Sequence, residues 1–384
     1  MISNDANILA DPYAVQPRMI AYGALVDELH IVVLVEQKIQ DTSNKEQTNS
    51  KFKIQNTNVT IYPTHSKNKW MYVFNAIRIG KDIVQNASFT KSTAIITTQD
   101  PFETGIVGRQ LSRKFNIPLH VQVHADFLSP YFIRSFLSRV RLRIAPFVLR
   151  SASAVRVVSK RIRDSLTKTY RISASRISVL PIFVDARTIE QMPVNTSLKD
   201  AFPQFQNIIL MVSRLAPEKN IEMALRAFQK TARRFPDTGL IIVGSGPEQE
   251  KLEQLVAELS LEDNVHFEGE RTDVVSFYKT ATLFLHTSDF EGYGMALVEA
   301  AASGCPIVTT NVGLIGEALT TDNAFVCEPQ DQRAVARQLG LALENKSARI
   351  HVASTAKKAA RAHAYRSHDA YLEAYKKDWK RTLG

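Results

Sequence analysis

Short apolar runs rich in β-branched residues alternate along this chain with longer stretches whose apolar positions recur every three to four residues. The first half offers strand-length runs "HIVVLV" (30–35), "NVTIYPT" (58–64), "TAIITT" (93–98), "PLHVQVH" (118–124), "SAVRVVS" (153–159) and "RISVLP" (176–181). Helical spacing holds between them from Lys69 to Val84, Glu103 to Phe115 and Tyr131 to Leu149. The second half repeats the pattern with "NIILMVS" (207–213), "GLIIVGS" (239–245), "NVHFEG" (264–269), "ATLFLHTS" (281–288), "PIVTT" (306–310) and "AFVCEP" (324–329). Strands that are apolar almost throughout, alternating with helices, predict parallel sheets covered on both faces. Two such blocks predict an α/β chain of two Rossmann-like domains, at 1–190 and 200–348. The polar, proline-bearing segment 183–205 is the expected boundary. The alanine- and lysine-rich tail, 349–384, reads as one or two surface helices.

The stretch "HTSDFEGYGMALVEAAASGCPIVTT" (286–310) stands out. A strand runs out into a glycine-bearing loop, and "MALVEAAASG" reads as the helix that follows. Ligands of parallel sheets gather at the carboxyl ends of the strands. The first turn of such a helix offers free N–H groups and a positive dipole end, suited to phosphate. Gly292 and Gly294 let the backbone come close to a ligand. Glu299, flanked by Val298, Ala300, Ala301 and Ala302, has no polar face to join. It therefore reads as a buried carboxylate awaiting a ligand rather than a surface residue.

This segment resembles the Glu-x7-Glu motif of the retaining glycosyltransferases of family 4, with Glu291 and Glu299 as the pair. "MVSRLAPEKNIEMALRAF" (211–228) resembles the family's segment in which an Arg and a Lys, here Arg214 and Lys219, grip the donor diphosphate. "QDPFETGIVGRQLSRKFNIPLHVQVHADF" (99–127) resembles the stretch that contains a catalytic-region histidine, here His124. The resemblance covers most of 99–345. It implies a GT-B fold, two Rossmann-like domains facing a central cleft, with the tail helix crossing back onto the first. The activity implied is hexosyl transfer from a nucleotide-diphosphate sugar to an acceptor hydroxyl, with retention, in cell-surface polysaccharide or glycolipid assembly. Glu291 and His124 would be catalytic. Donor contacts would come from Arg214, Lys219, Glu299, Gly292, Tyr293, Gly294, Met295, Ala296 and Leu297, with the base near Glu270 and Arg271. Glu299 would hold the ribose hydroxyls, which leaves no evident nucleophile opposite Glu291 and favours front-face displacement over the two-carboxylate route. No Asp-x-Asp sequence occurs in the chain, so neither metal nor other cofactor is expected. One departure concerns the acceptor side. The family opens on a strand and a Gly-Gly loop, whereas this chain has no glycine before Gly23. Its first strand is expected to be missing, degraded or "ANILA" itself, with Asp11 to Arg18 in the loop's place.

Charge adds a second theme. Residues 1–190 hold 26 Lys and Arg against 14 Asp and Glu, and residues 191–384 hold 22 against 24, so the whole +10 lies in the first half. Within 134–176 there are 12 basic residues and one acid, Asp164. "SPYFIRSFLSRVRLRIAPFVLR" (129–150) interleaves Arg134, Arg139, Arg141 and Arg143 with Phe, Leu, Ile and Val. That pattern suits a helix lying on an anionic membrane, or a core helix with a solvated basic side. No nucleic-acid motif accompanies the charge, so nucleic acid is not an expected partner. With 45% hydrophobic and 22% charged residues, and no apolar run near the ~18 of a membrane span, the chain reads as globular. Two lone cysteines and the absence of a signal-peptide pattern at the N-terminus suit a cytoplasmic setting, peripheral on the inner face of the membrane if the basic helix binds it. The expected partners are a nucleotide sugar and a glycan or lipid-linked acceptor. A GT-B nucleotide-sugar epimerase and a polyanion-binding protein with a degenerate site are the alternatives.

Overall fold

The computed structural model describes residues 1–10, 15–36, 51–68, 71–87 and 89–384. The chain divides into two compact units: Met1–Leu128, Ile133–Pro181 and Asp369–Gly384 form one, Ser129–Phe132 and Ile182–His368 the other.

Strands β1 (Ile2–Ser3), β2 (Leu29–Val33), β3 (Phe52–Lys53), β4 (Val59–Pro63), β5 (Ile96–Thr98), β6 (Leu119–Val123), β7 (Ala154–Val157) and β8 (Ile177–Val179) build the sheet of the first unit. Their order is β3-β4-β2-β1-β5-β6-β7-β8, parallel except for β3, which pairs antiparallel with β4 at the edge. The second unit holds β9 (Asn207–Val212), β10 (Thr238–Val243), β11 (Val265–Gly269), β12 (Leu283–His286), β13 (Ile307–Thr310) and β14 (Phe325–Cys327), all parallel, in the order β11-β10-β9-β12-β13-β14. Both sheets are α/β, as the alternation predicts, and all twelve apolar runs become strands. In the second unit β9 and β10 stay in register over six consecutive pairs, and Leu240, Ile242, Ile209 and Met211 pack with Phe228 and Leu252 from flanking helices. Each sheet has one place where the strand order reverses: between β1 and β5 in the first, between β9 and β12 in the second.

Several expectations are corrected. The first strand exists but is cut to Ile2–Ser3, held between β2 and β5, and "NILA" (7–10) is helical rather than extended. Of the expected loop replacement, residues 11–14 lie outside the described residues, as do Lys69 and Trp70 of the helix expected from Lys69; that helix is described from Met71 to Asn86. The segment 183–205 is not a free linker. It carries two short helices, Ala186–Gln191 and Leu198–Ala201, whose Ala186, Ile189 and Leu198 are buried in the second unit. The tail is divided. Its helix Lys346–His363 belongs to the second unit, and only the last helix, His368–Leu383, packs on the first.

That last helix is held by polar chemistry buried in the sheet. His120 on β6 bonds Asp378 through Nε2 (2.8 Å) and Thr97 through Nδ1 (2.9 Å), and Ser178 donates to the other Asp378 oxygen. Arg156 on β7, 2% exposed, donates to Gln122 (2.7 Å), to the Tyr371 and Tyr375 hydroxyls, and to the carbonyls of Leu180 and Pro181. A buried guanidinium is tolerated only when its donors are taken in this way.

Candidate functional site

In the second unit the loops that leave β9 and β12 flank the reversal point of the sheet, the position where parallel sheets bind ligands. The β9 loop brings Arg214 and Lys219, and the β12 loop brings Glu291. They meet: Lys219 Nζ lies 2.5 Å from Glu291 Oε1. Ser288 Oγ donates to the same oxygen (2.9 Å), and His286 Nε2 stands 3.3 Å from it. All three partners converge on Oε1, and Oε2 has none among the described residues. Burial alone would raise the pKa of Glu291, but the His286 hydrogen bond and the Lys219 charge outweigh it and bring the pKa down to about 2. Glu291 is thus a fixed anion with one oxygen open.

The loop is framed on both sides. Asp289 accepts from Asn220 (2.8 Å) and Gln330 (3.4 Å), Thr287 donates to the Lys219 carbonyl, and Thr310 to the Ser288 carbonyl. Gly313 sits at φ +57°, and a Cβ there would meet the Tyr293 carbonyl at 2.4 Å and Glu291 Cβ at 3.2 Å. Only glycine allows this approach. Gly294, at φ +89°, is the N-cap of the helix Met295–Ser303, and no side chain caps that end. Leu297 N–H already bonds the Gly294 carbonyl (3.0 Å), so the N–H groups of Met295 and Ala296 are the ones this turn can offer an anion.

Glu299, about one turn on, is half-buried. Burial raises its pKa, opposed by the hydroxyl of Tyr278, which donates to Oε2 at 3.3 Å. One oxygen of Glu299 is thus held by the protein, and the other has no partner among the described residues.

Other expected donor contacts are arranged differently. Arg214 is exposed and paired with Glu218 (2.7 Å). Arg271 is engaged by Asp273 (3.1 Å) and Glu268 (3.7 Å) above the Phe277 ring. The Tyr293 ring is buried and stacked on His363, and Leu297 is fully buried, so both can offer a ligand only backbone. Gly292 is buried, Ala296 half-buried, and Met295 exposed.

In the first unit His124 follows β6, with Gln122 and His120 two and four positions before it on the same strand face. Burial, then the positive surroundings of Arg156, Arg18 and His120, lower its pKa to about 3, so the ring is neutral at physiological pH. At the reversal point beside it, Asn4 bonds Asp100 (3.2 Å) and Ser3 bonds Gln99 (2.8 Å). Asp100 is pushed up to about 6, mainly by burial and in spite of the Phe102 N–H. Sequence reasoning did not single out Asp100, His286, Ser288 or Tyr278. The first of these had a usable signal, its place two residues past a strand-end pair of threonines.

The basic helix Phe136–Ser151 opens on a Ser135–Ser138 capping box. Pro146 lacks the N–H for the Leu142 carbonyl, and the Tyr170 hydroxyl takes that carbonyl instead (3.1 Å). One exposed stripe carries Phe136, Arg139, Arg143, Phe147 and Arg150, at three- and four-residue spacing. Arg141 is not part of it: it pairs with Glu103 (2.9 Å) against the Phe102 ring. Arg134 is exposed just ahead of the helix. Among the described residues no helix is long and apolar enough to cross a membrane, and no group of three or more His, Cys, Asp or Glu side chains is placed to hold a metal.

Two α/β units, the second with ion-paired groups at its reversal point, form a two-domain Rossmann-like architecture, and comparison with known proteins makes the class definite. Residues 23–188 match the Glycosyltransferase Family 4 model, and residues 197–359 match the model of Glycosyl transferases group 1. With both halves matched, the chain is a family-4-like protein of the GT-B glycosyltransferases. An uncharacterized glycosyltransferase of Haemophilus influenzae is 30% identical over 193 residues, 49% of this chain and 53% of that protein. The N-acetyl-alpha-D-glucosaminyl L-malate synthase of Bacillus anthracis is 33% identical over 159 residues, 41% of each. The chain thus spans about half the length of these relatives or less. Anabaena HepE, solved with UDP and glucose, superposes with a TM-score of 0.72 over 94% of both chains at 21% identity, a likeness of fold.

Proposed function

We propose that this protein transfers a hexosyl group from a nucleotide-diphosphate sugar to an acceptor hydroxyl, with retention and without a metal. The observation that carries the reading is the pair Glu291 and Glu299, each with one oxygen held by the protein and the other open, on the loop and helix that follow β12. Glu291 Oε2 faces the transferred sugar, and Glu299 Oε1 a pentose hydroxyl. Lys219 and Arg214 answer the charge that grows on the leaving diphosphate, where fixed cations are worth most. They do so by exchanging their present carboxylate partners for phosphate oxygens. The uncapped first turn of the helix Met295–Ser303 adds backbone donors from Met295 and Ala296. With Glu299 committed to the pentose, no second carboxylate serves as nucleophile, so the acceptor oxygen attacks on the face the diphosphate leaves and gives its proton to a phosphate oxygen. His124, neutral, offers the sugar a hydrogen bond rather than a charge.

The HepE structure with UDP and glucose supports a nucleotide sugar as donor. The acceptor is a glycan or lipid-linked hydroxyl of cell-surface polysaccharide or glycolipid assembly. The stripe of Phe136, Arg139, Arg143, Phe147 and Arg150 supports an anionic membrane as the surface on which it is met, aromatic rings in the lipid and guanidinium groups on head groups. The deciding experiment incubates the protein with UDP, GDP and ADP sugars in the presence of EDTA and follows the anomeric configuration of any product by NMR. Retained configuration with EDTA present supports the mechanism. An inverted product, full activity in Glu291→Ala, or turnover of the sugar without any acceptor would end it, the last in favour of epimerisation. Flotation on phosphatidylglycerol vesicles tests the surface, and equal flotation of the Phe136→Asp, Phe147→Asp double variant would remove the stripe from the account.

A further inference from the structure

Tyr278 lies in the helix Val274–Thr280, which packs beside the helix Met295–Ser303. Its ring is 1% exposed and meets Phe284 of β12 edge-on, centroids 5.2 Å apart. A phenol so deep in an apolar site needs a partner for its hydroxyl. The hydroxyl has one, Glu299 Oε2 at 3.3 Å. Packing alone asks only for the ring: Phe277 and Phe284 fill the same core without a polar atom. The hydroxyl therefore serves the carboxylate. Val298, Ala300, Ala301 and Ala302 surround Glu299 with nothing else that could hold it, and Oε1 has no partner among the described residues.

Resting on the assignment of Glu299 to the pentose, we infer that Tyr278 is a positioning residue for the donor. By tying down Oε2 it fixes the carboxylate plane and presents Oε1 to the vicinal hydroxyls, so that the site discriminates ribose from deoxyribose. A carboxylate already immobilised loses less entropy when the ligand arrives, and an orientation held by a buried donor is kept between turnovers. The hydroxyl stays protonated throughout, since burial and the Glu299 charge both keep it from ionising.

The test uses the full chain and calorimetric binding of UDP, GDP and ADP, each beside its 2′,3′-dideoxy counterpart, to the wild type, Tyr278→Phe and Glu299→Gln. Tyr278→Phe is expected to weaken the preferred ribonucleotide about five- to tenfold, the net worth of a single hydrogen bond. It should leave the dideoxy form unchanged and keep kcat at saturating donor within about twofold. A purely structural role would weaken both nucleotides alike, and that result, or no change in either, overturns the inference while leaving Glu299 in place. If Glu299→Gln spares ribonucleotide binding, the assignment of Glu299 itself falls and the inference with it. Tyr278→Phe keeps the ring, and its melting temperature guards against misfolding; Glu299→Gln provides the independent second variant.

Discussion

Replacing Lys219 by Met tests whether the Lys219–Glu291 pair is built into the folded state. Both side chains are mostly buried, at 18% and 15% exposure, with 2.5 Å between charged atoms. Glu291 titrates at about 2 instead of 4.5, and at roughly 1.4 kcal/mol per pKa unit this favours the folded anion by about 3 kcal/mol. His286 and Ser288 share that effect, so Lys219 accounts for on the order of half. A folded pKa below the unfolded one gives stability that is present above pH ~4.5 and is lost as pH falls toward 2. Without Lys219, burial pushes the Glu291 pKa back up and the stabilisation shrinks. Lys219→Met should therefore cost about 1.5–2 kcal/mol at pH 7, and clearly less at pH 3, where the unfolded carboxyl is already protonated. Urea unfolding followed by far-ultraviolet circular dichroism at pH 7, 5, 4 and 3 measures this, with Glu291→Gln as the second arm of a double-mutant cycle. The reasoning is refuted if the penalty is the same at every pH, or if it survives undiminished in the Glu291→Gln background.

Three further substitutions probe the frame. Gly313→Ala forces a Cβ into the Tyr293 carbonyl at φ +57°; it should destabilise by about 1–3 kcal/mol and reduce the rise in melting temperature given by a bound nucleoside diphosphate. Asp100→Asn acts with the opposite sign to the Lys219 change. A carboxyl whose folded pKa is raised from 3.8 to about 6 weakens the fold as pH rises from about 4 through 6, so the variant should melt higher than the wild type at pH 8 and equally at pH 4, by differential scanning calorimetry. Arg156→Met removes the guanidinium that Gln122, the Tyr371 and Tyr375 hydroxyls and the carbonyls of Leu180 and Pro181 share, while Gln122 keeps the Tyr375 hydroxyl (2.9 Å); a loss of about 3–5 kcal/mol is expected, with the helix His368–Leu383 exposed to limited proteolysis first.

The strands were legible because a parallel strand covered on both faces must be apolar at nearly every position, and no other element of that length looks the same. β1 and β3 escaped because two residues carry no period. The polar character of 183–205 marks a real change in the chain, but composition cannot distinguish a linker from short helices that bury only three residues. The division of the tail was written in a place that reasoning on the tail itself does not reach. β6 reads "LHVQV" and β7 reads "AVRV", with His120, Gln122 and Arg156 at strand positions that should be apolar. Those polar residues are what Tyr371, Tyr375 and Asp378 answer, and a polar stripe inside a predicted parallel strand was the available sign that a polar helix would cover it.

The site divides along the same line. Glu299 stands on a helix whose apolar pattern conflicts with its charge, and Glu291, Arg214 and Lys219 are marked by the motif resemblance, so all four are legible in a linear sequence. Their partners are not. His286 ends an ordinary strand, Ser288 is a serine in a loop, and Tyr278 is one aromatic among several in "VVSFYKTATLFLH". What makes these three distinctive is that β12 lies beside β9 and that the helix Val274–Thr280 lies beside Met295–Ser303, relations that belong to topology and not to spacing. Each carboxylate is consequently found with one oxygen held by the fold and one turned to a ligand. A site whose anions are oriented before a ligand arrives gives up less on binding than one that must assemble them, and here that orientation comes from Lys219 together with Ser288, His286 and Tyr278, the three that spacing does not mark.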